Sequence, residues 1–148
     1  GLVAVTPASG YAHPMTALVL GLVVSPICFL FVTTVKNRFK YDDTLDVFGV
    51  HCIGGITGAL ATAIVASPAL GGQGAADYTK IPYVAAPYSI SAQLVTQFEA
   101  VLITLLWSGT VSAVLFFVLD KTMGLRPTEE VEREGLDINE HGERAYNY

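Results

Sequence analysis

The sequence predicts an all-α membrane protein with three transmembrane helices and a polar C-terminal tail. Three long apolar runs, a low content of charged residues and an acidic end predict this class. Hydrophobic residues make up 52% of the 148 positions and charged residues only 14%, whereas a soluble domain carries about 25% charged residues. This composition argues against a soluble enzyme. The net charge of −5, without a basic stripe, argues against nucleic-acid binding.

The first predicted span covers residues 15–35 and contains no charged side chain. About 20 helical residues cross the hydrocarbon core of a bilayer, so this run is long enough. Pro26 lies within the run and would break a helix in water. In a membrane helix it is tolerated where neighbouring groups satisfy the freed carbonyl.

The second predicted span covers residues 47–70, where His51 and Cys52 are the ionisable side chains. The third covers residues 88–119 and contains one charged residue, Glu99. At 1.5 Å per residue the third run would extend for about 48 Å, so we expect it to tilt or to project beyond the bilayer. These spans assign residues 1–119 to a transmembrane region and residues 120–148 to the tail.

The connecting segments predict which way the chain crosses the membrane. Lys36, Arg38 and Lys40 follow the first span directly, and the tail carries eight acidic and four basic residues. Three spans place the first connector and the tail on the same side, which also carries the basic residues. Because basic residues favour the cytoplasmic side, we expect a cytoplasmic C-terminus and a location in the cell membrane.

His51 is the leading candidate for a functional residue. An ionisable side chain inside a membrane helix is costly and is by default a functional hypothesis. Its imidazole offers one donor and one acceptor, and its ordinary pKa of about 6.5 suits proton handling. The alternative is a histidine that hydrogen-bonds to a neighbouring helix and has no part in transport.

Two groups of residues near His51, a glycine pair and an acidic cluster, each allow two interpretations. Gly54 and Gly58 form a GxxxG pair, which fits a pore wall or a plain helix contact. Three acidic residues precede the helix, namely Asp42, Asp43 and Asp46. Carboxylates there cap free backbone N–H groups, and this interpretation is favoured over a cation site, which stays open for Asp46.

The third run carries polar residues of its own. Gln93 and Gln97 share a helix face, and Glu99 lies off that face. We expect Glu99 to contact another helix or subunit, with a proton-relay role as the alternative. No nucleophile–base pair, phosphate-binding loop, zinc motif or disulfide framework is present, so the sequence predicts no enzyme, no metal and no cofactor.

Five segments together resemble the C-terminal part of an ammonium transporter of the Amt/Mep/Rh family. They are GLVAVTPASGY at 1–11, DDTLDVFGVHCIGGITGAL at 42–60, ALGGQG at 69–74, QFEAVLITLLWSG at 97–109 and GLRPTEEVEREGLDINEHGERAY at 124–146. The resemblance implies an eleven-helix fold, of which this chain supplies the end of helix eight and helices nine to eleven. The first residue is not a methionine, and we expect the chain to be part of a longer one.

The resemblance also implies roles for individual residues. His51 matches the second histidine of the family's pore pair, which would pass the proton while NH₃ crosses an apolar lumen. Val47 matches a pore-lining residue, and Asp46 matches a structural aspartate near the pore. Gly135 and Asp137 match the regulatory part of the tail. The implied partners are ammonium or ammonia, the lipid bilayer, two further subunits of a homotrimer and a PII signal protein.

The sequence therefore predicts ammonium transport across a membrane by a longer protein that contains these residues. The first pore histidine belongs to the family's first seven helices, so we expect this segment alone to conduct nothing. Two rival classes stay open. One is a membrane-embedded enzyme or metal protein using His51 and Cys52, although neighbouring helix positions point about 100° apart. The other is a small structural or regulatory membrane protein whose acidic tail binds a cytoplasmic partner.

Overall fold

The structure is a computed structural model that describes residues 1–82, 84–144 and 146. The described part is mostly helical, and three of its helices are long and apolar enough to cross a membrane. They are Pro14–Phe39, Phe48–Val65 and Ile90–Thr122. The predicted fold class is confirmed. Residues 145, 147 and 148 of the predicted tail lie outside the described residues.

The chain begins with a short helix, α1 (Leu2–Val5), and a 3₁₀ turn, Thr6–Ala8. The first long helix then starts as α2 (Pro14–Leu30), with proline at its first position, where no N–H is needed. The Nδ1 atom of His13 caps this helix by accepting the N–H of Met15 at 3.3 Å.

The first long helix is continuous through Pro26 and changes its winding near its end. A π turn, Phe31–Val35, follows α2 and leads into α3 (Lys36–Phe39). The helix ends at Lys40, whose φ of 52° turns the chain away. It therefore extends four residues beyond the predicted end at residue 35.

The second long helix starts as another π turn, Phe48–Cys52, and continues as α4 (Ile53–Val65). The apolar run predicted this helix through residue 70, but α4 ends at Val65. Ser67 is extended, with φ −62° and ψ 129°, because the residue before a proline avoids the helical region. A 3₁₀ turn, Pro68–Leu70, follows.

A small core joins α1, α2 and α4. Its buried side chains come from all three helices and are Ala4, Ala8, Leu20, Val24 and Val65. Small residues dominate the core, so the helix backbones approach closely. This packing fixes the direction in which α4 leaves the core.

A two-stranded antiparallel hairpin, absent from the sequence prediction, pairs β1 (Ala76–Asp77) with β2 (Val84–Ala85). The third long helix, α5 (Ile90–Thr122), begins two residues later and ends three residues later than the predicted run. The tail holds α6 (Glu129–Glu134) and α7 (Leu136–Asn139).

Contacts divide the chain into two compact units, residues 1–103 and residues 104–148. The first unit contains α1 to α4, the hairpin and the beginning of α5. The second contains the rest of α5 and the tail helices. His51, Val47 and Asp46 all belong to the first unit, and Gly135 and Asp137 belong to the second.

Candidate functional site

The candidate site lies at the beginning of the second long helix, where His51 and Val47 are exposed. Val47 is 49% exposed and precedes His51 by one turn, which places both side chains on one face. Within residues 1–82, 84–144 and 146, no group hydrogen-bonds to the His51 imidazole. The arrangement presents a titratable ring, with a donor and an acceptor available, beside apolar side chains.

Asp43 caps the start of this helix with its side chain. Its carboxylate oxygens accept the backbone N–H groups of Val47 at 2.8 Å and Phe48 at 2.9 Å. Such a cap satisfies donors that have no partner within the helix and complements the positive end of the helix dipole. The capping interpretation of the acidic cluster therefore applies to Asp43.

Asp46 connects the two long helices. Its backbone carbonyl accepts the N–H of Val50 at 3.0 Å, and its side chain pairs with the Lys36 ammonium group at 2.6 Å. Its φ of 56° lies in the left-handed region, where aspartate is tolerated better than most residues. A protein ammonium group therefore stands where the alternative interpretation placed a bound cation.

Three aromatic rings pack beside the ion pair, at positions that no sequence motif marks. The Phe48 ring lies 6.3 Å from that of Phe31 and 5.4 Å from that of Tyr41, measured between centroids. The Tyr41 hydroxyl oxygen is buried without a hydrogen-bond partner in the described part of the chain. Phe31 belongs to the first long helix, Tyr41 follows that helix and Phe48 begins the second, so the cluster depends on how the two helices meet and no local sequence signal predicts it.

Two glycines of the second long helix, Gly54 and Gly58, face other helices of the first unit. A Cβ atom on Gly54 would lie 3.3 Å from the Cys28 sulfur, and one on Gly58 would lie 2.2 Å from the Ala4 carbonyl oxygen. The GxxxG pair therefore makes close helix contacts within the chain. Of the two interpretations of this motif, the structure favours the helix contact over the pore wall.

A separate groove lies at the other end of the second long helix. Tyr88 donates its hydroxyl to the Ala63 carbonyl at 2.9 Å and so joins the start of α5 to α4. Gln93 and Gln97 line this groove, and Glu99 is exposed outside it. The groove is lined further by Pro7, Tyr11, Thr62, Ala66, Gly74, Ala75, Ala76 and Tyr78.

In the tail, Gly135 forms a turn between α6 and α7. Its φ of 112° belongs to a region that favours glycine, and a Cβ atom there would lie 2.6 Å from Oδ1 of Asp137. The Asp137 carbonyl accepts the N–H of Glu143 at 2.9 Å. Arg126 binds Glu132 through two nitrogens at 3.1 and 2.8 Å. The two predicted tail residues thus lie in one compact turn.

The described residues bring together no group of three or more metal-ligating side chains. Cys28 and Cys52 are both free thiols and partly buried.

Comparison with known proteins identifies a family for nearly the whole chain. Residues 1–146 match the Ammonium Transporter Family. The chain is 41% identical to an ammonium transporter of Aquifex aeolicus over 147 residues, or 99% of this chain and 32% of that protein. It is 36% identical to an ammonium transporter of Bacillus subtilis over 146 residues, covering 99% of this chain and 34% of that protein.

A eukaryotic relative shows similar coverage. The chain is 33% identical to ammonium transporter 1 of Dictyostelium discoideum over 147 residues, covering 99% of this chain and 30% of that protein. The chain thus spans about a third of the length of the curated relatives it matches.

Proposed function

Because the chain belongs to the Ammonium Transporter Family, we propose that it forms part of the pore of a membrane protein that transports ammonium. In this proposal the substrate is ammonium, which loses a proton so that NH₃ crosses an apolar lumen. The observation that carries the proposal is the exposed imidazole of His51 on an apolar helix of a chain that matches transporters over nearly all of its length.

The chemistry of His51 fits this role. Moving a bare ammonium ion into hydrocarbon is strongly unfavourable, whereas neutral NH₃ enters far more easily. A proton left behind needs a group that can accept and release it near neutral pH, and imidazole does both. Deprotonation also distinguishes ammonium from K⁺, which has no proton to lose. Val47 supplies an apolar neighbour on the same face.

Contacts at the start of the second long helix hold the backbone that carries His51. Asp43 caps the helix, and the ion pair between Asp46 and Lys36 ties its start to the preceding helix. We assign Asp46 a structural role near the pore. This role agrees with its position two residues before Phe48, where its backbone carbonyl accepts the N–H of Val50.

The tail, the assembly and the membrane complete the proposal. We place the protein in the cell membrane with the tail in the cytoplasm, as the distribution of basic residues suggests. The ordered turn at Gly135 and Asp137 would contact a neighbouring subunit of a homotrimer and respond to a PII signal protein. Its fixed geometry, with a positive φ at Gly135, supports a defined docking shape.

Uptake of labelled methylammonium by the full-length protein that contains these residues tests the proposal. His51→Ala should abolish saturable uptake while the protein remains in the membrane. Cys52→Ala changes the neighbouring position, and His141→Ala makes the same substitution in the tail. Both controls should transport normally. Normal uptake by His51→Ala would refute the pore role and favour a structural or regulatory protein acting through its tail.

A further inference from the structure

The two long helices that flank the site are both wound as π turns where they meet. The first π turn, Phe31–Val35, is closed by the Lys36 N–H on the Phe31 carbonyl, and the second, Phe48–Cys52, by the Ile53 N–H on the Phe48 carbonyl. A π turn is rare and often accompanies a functional position. It adds one residue to a helical turn and therefore changes the direction of the side chains around it. His51 lies inside the second π turn.

At Gly49 the backbone of the second π turn comes close to Val32 of the first. A Cβ atom on Gly49 would lie 2.7 Å from Cγ2 and 3.2 Å from the backbone nitrogen of Val32. Gly49 is buried, whereas His51, two residues further along, is exposed on nearly the opposite side of the helix. A displacement of the backbone at Gly49 therefore reaches His51 through only two residues.

A second contact stabilises the same arrangement. The Cys28 thiol lies one turn before Val32 and approaches the Val50 carbonyl at 4.0 Å. A thiol is a weak donor, so this contact adds packing between the first helix and the second π turn rather than a strong hydrogen bond. Contacts from one helix thus reach the side of the π turn that faces away from His51.

We propose that Gly49 and Val32 are positioning residues that set the direction of the His51 imidazole through the paired π turns. This inference rests on the proposed transport function. An added methyl group at Gly49 falls about 1 Å short of an ordinary carbon–carbon contact distance of 3.5–4.0 Å. The second helix must then move away from Val32, and the imidazole must move with it. A displacement of this size can lower the rate of a geometry-dependent step by as much as about 100-fold.

Four variants of the full-length protein test this role by methylammonium uptake and its pH profile. Gly49→Ala should lower uptake by about 10-fold or more and shift the pH profile, because the proton-handling ring is displaced. Val32→Ala removes Cγ2, the nearer of the two atoms, and leaves the backbone nitrogen at 3.2 Å, so the double variant should recover part of the native uptake. Gly21→Ala in α2 is the matched control, since it lies outside the helix that carries His51 and a Cβ atom there meets nothing within 4 Å.

The outcomes separate this inference from the proposed function. Loss in Gly49→Ala, partial recovery in the double variant and normal uptake in Gly21→Ala support the inference. Native uptake and pH profile in Gly49→Ala, with His51→Ala inactive, would overturn the inference alone. Native uptake in His51→Ala would overturn both. If Gly49→Ala fails to accumulate, Val32→Ile crowds the same contact from the other helix, and an unchanged pH profile there would overturn the inference.

Discussion

Replacement of Gly58 by alanine should destabilise the first unit, because two helix backbones touch at this residue. A Cβ atom on Gly58 would lie 2.2 Å from the carbonyl oxygen, 2.7 Å from Cα and 2.8 Å from the carbonyl carbon of Ala4. All three atoms belong to the backbone of α1, so no side-chain rotation can relieve the clash. The helix α1 must therefore move as a whole.

The expected change in the free energy of unfolding of Gly58→Ala follows from two opposing effects. Overpacking a well-packed interior lowers the free energy of unfolding by about 1–3 kcal/mol, and a clash with backbone atoms belongs at the upper end. Alanine regains about 1 kcal/mol because it favours a helix more than glycine does. The net loss is about 2 kcal/mol, which raises the ratio of unfolded to folded protein by about 30-fold.

Thermal unfolding of the purified full-length protein in detergent measures this effect. Gly55→Ala provides the matched control for stability, because it gains the same helical preference without a neighbouring atom within 4 Å. The midpoint of Gly58→Ala should lie below that of the native protein, and that of Gly55→Ala at or above it. Equal midpoints for the two variants would refute the close approach of Gly58 to α1.

Two further predictions concern carboxylates outside the pore face. Asp43→Ala removes the acceptor of two backbone N–H groups and should lower the free energy of unfolding by about 1 kcal/mol, seen as a lower thermal midpoint than that of Thr44→Ala. In the hairpin loop, the Thr79 hydroxyl and backbone N–H donate to Asp77 and hold its pKa below the ordinary 3.8. This carboxylate therefore stabilises the folded loop above pH 3.8, and its contribution is lost as the pH falls through the lowered pKa. Thr79→Val should raise the titration midpoint of the Asp77 carboxyl carbon in an NMR titration, and an unchanged midpoint would contradict the assigned cause.

The apolar runs were sufficient to predict the three long helices, since length and hydropathy alone determine which segments can cross a bilayer. Their ends were less predictable. Hydropathy predicted that the second helix continues through Leu70. The proline at position 68 makes Ser67 extended, so the helix ends earlier. Lys40 ended the first long helix with a left-handed conformation that the sequence pattern does not encode.

The identity of His51 as the leading candidate was accessible from sequence, because a titratable residue in an apolar run is unusual. The contacts that hold the start of its helix could not be predicted from the sequence. The pairing of Lys36 with Asp46 joins residues ten positions apart, and the contact of Gly49 with Val32 joins residues seventeen positions apart. Both depend on how the two long helices meet. The π turns likewise depend on this packing, because local sequence preferences separate π from α winding only weakly.

The most direct test of the central claim is the ammonium-evoked current of the full-length protein with and without His51→Ala, at equal amounts in the membrane. If the imidazole passes the proton that ammonium leaves behind, the substitution should abolish the current. The Cys52→Ala protein, altered at the next position, should keep it. A native current with native selectivity against K⁺ in His51→Ala would contradict the account and leave His51 as a packing residue.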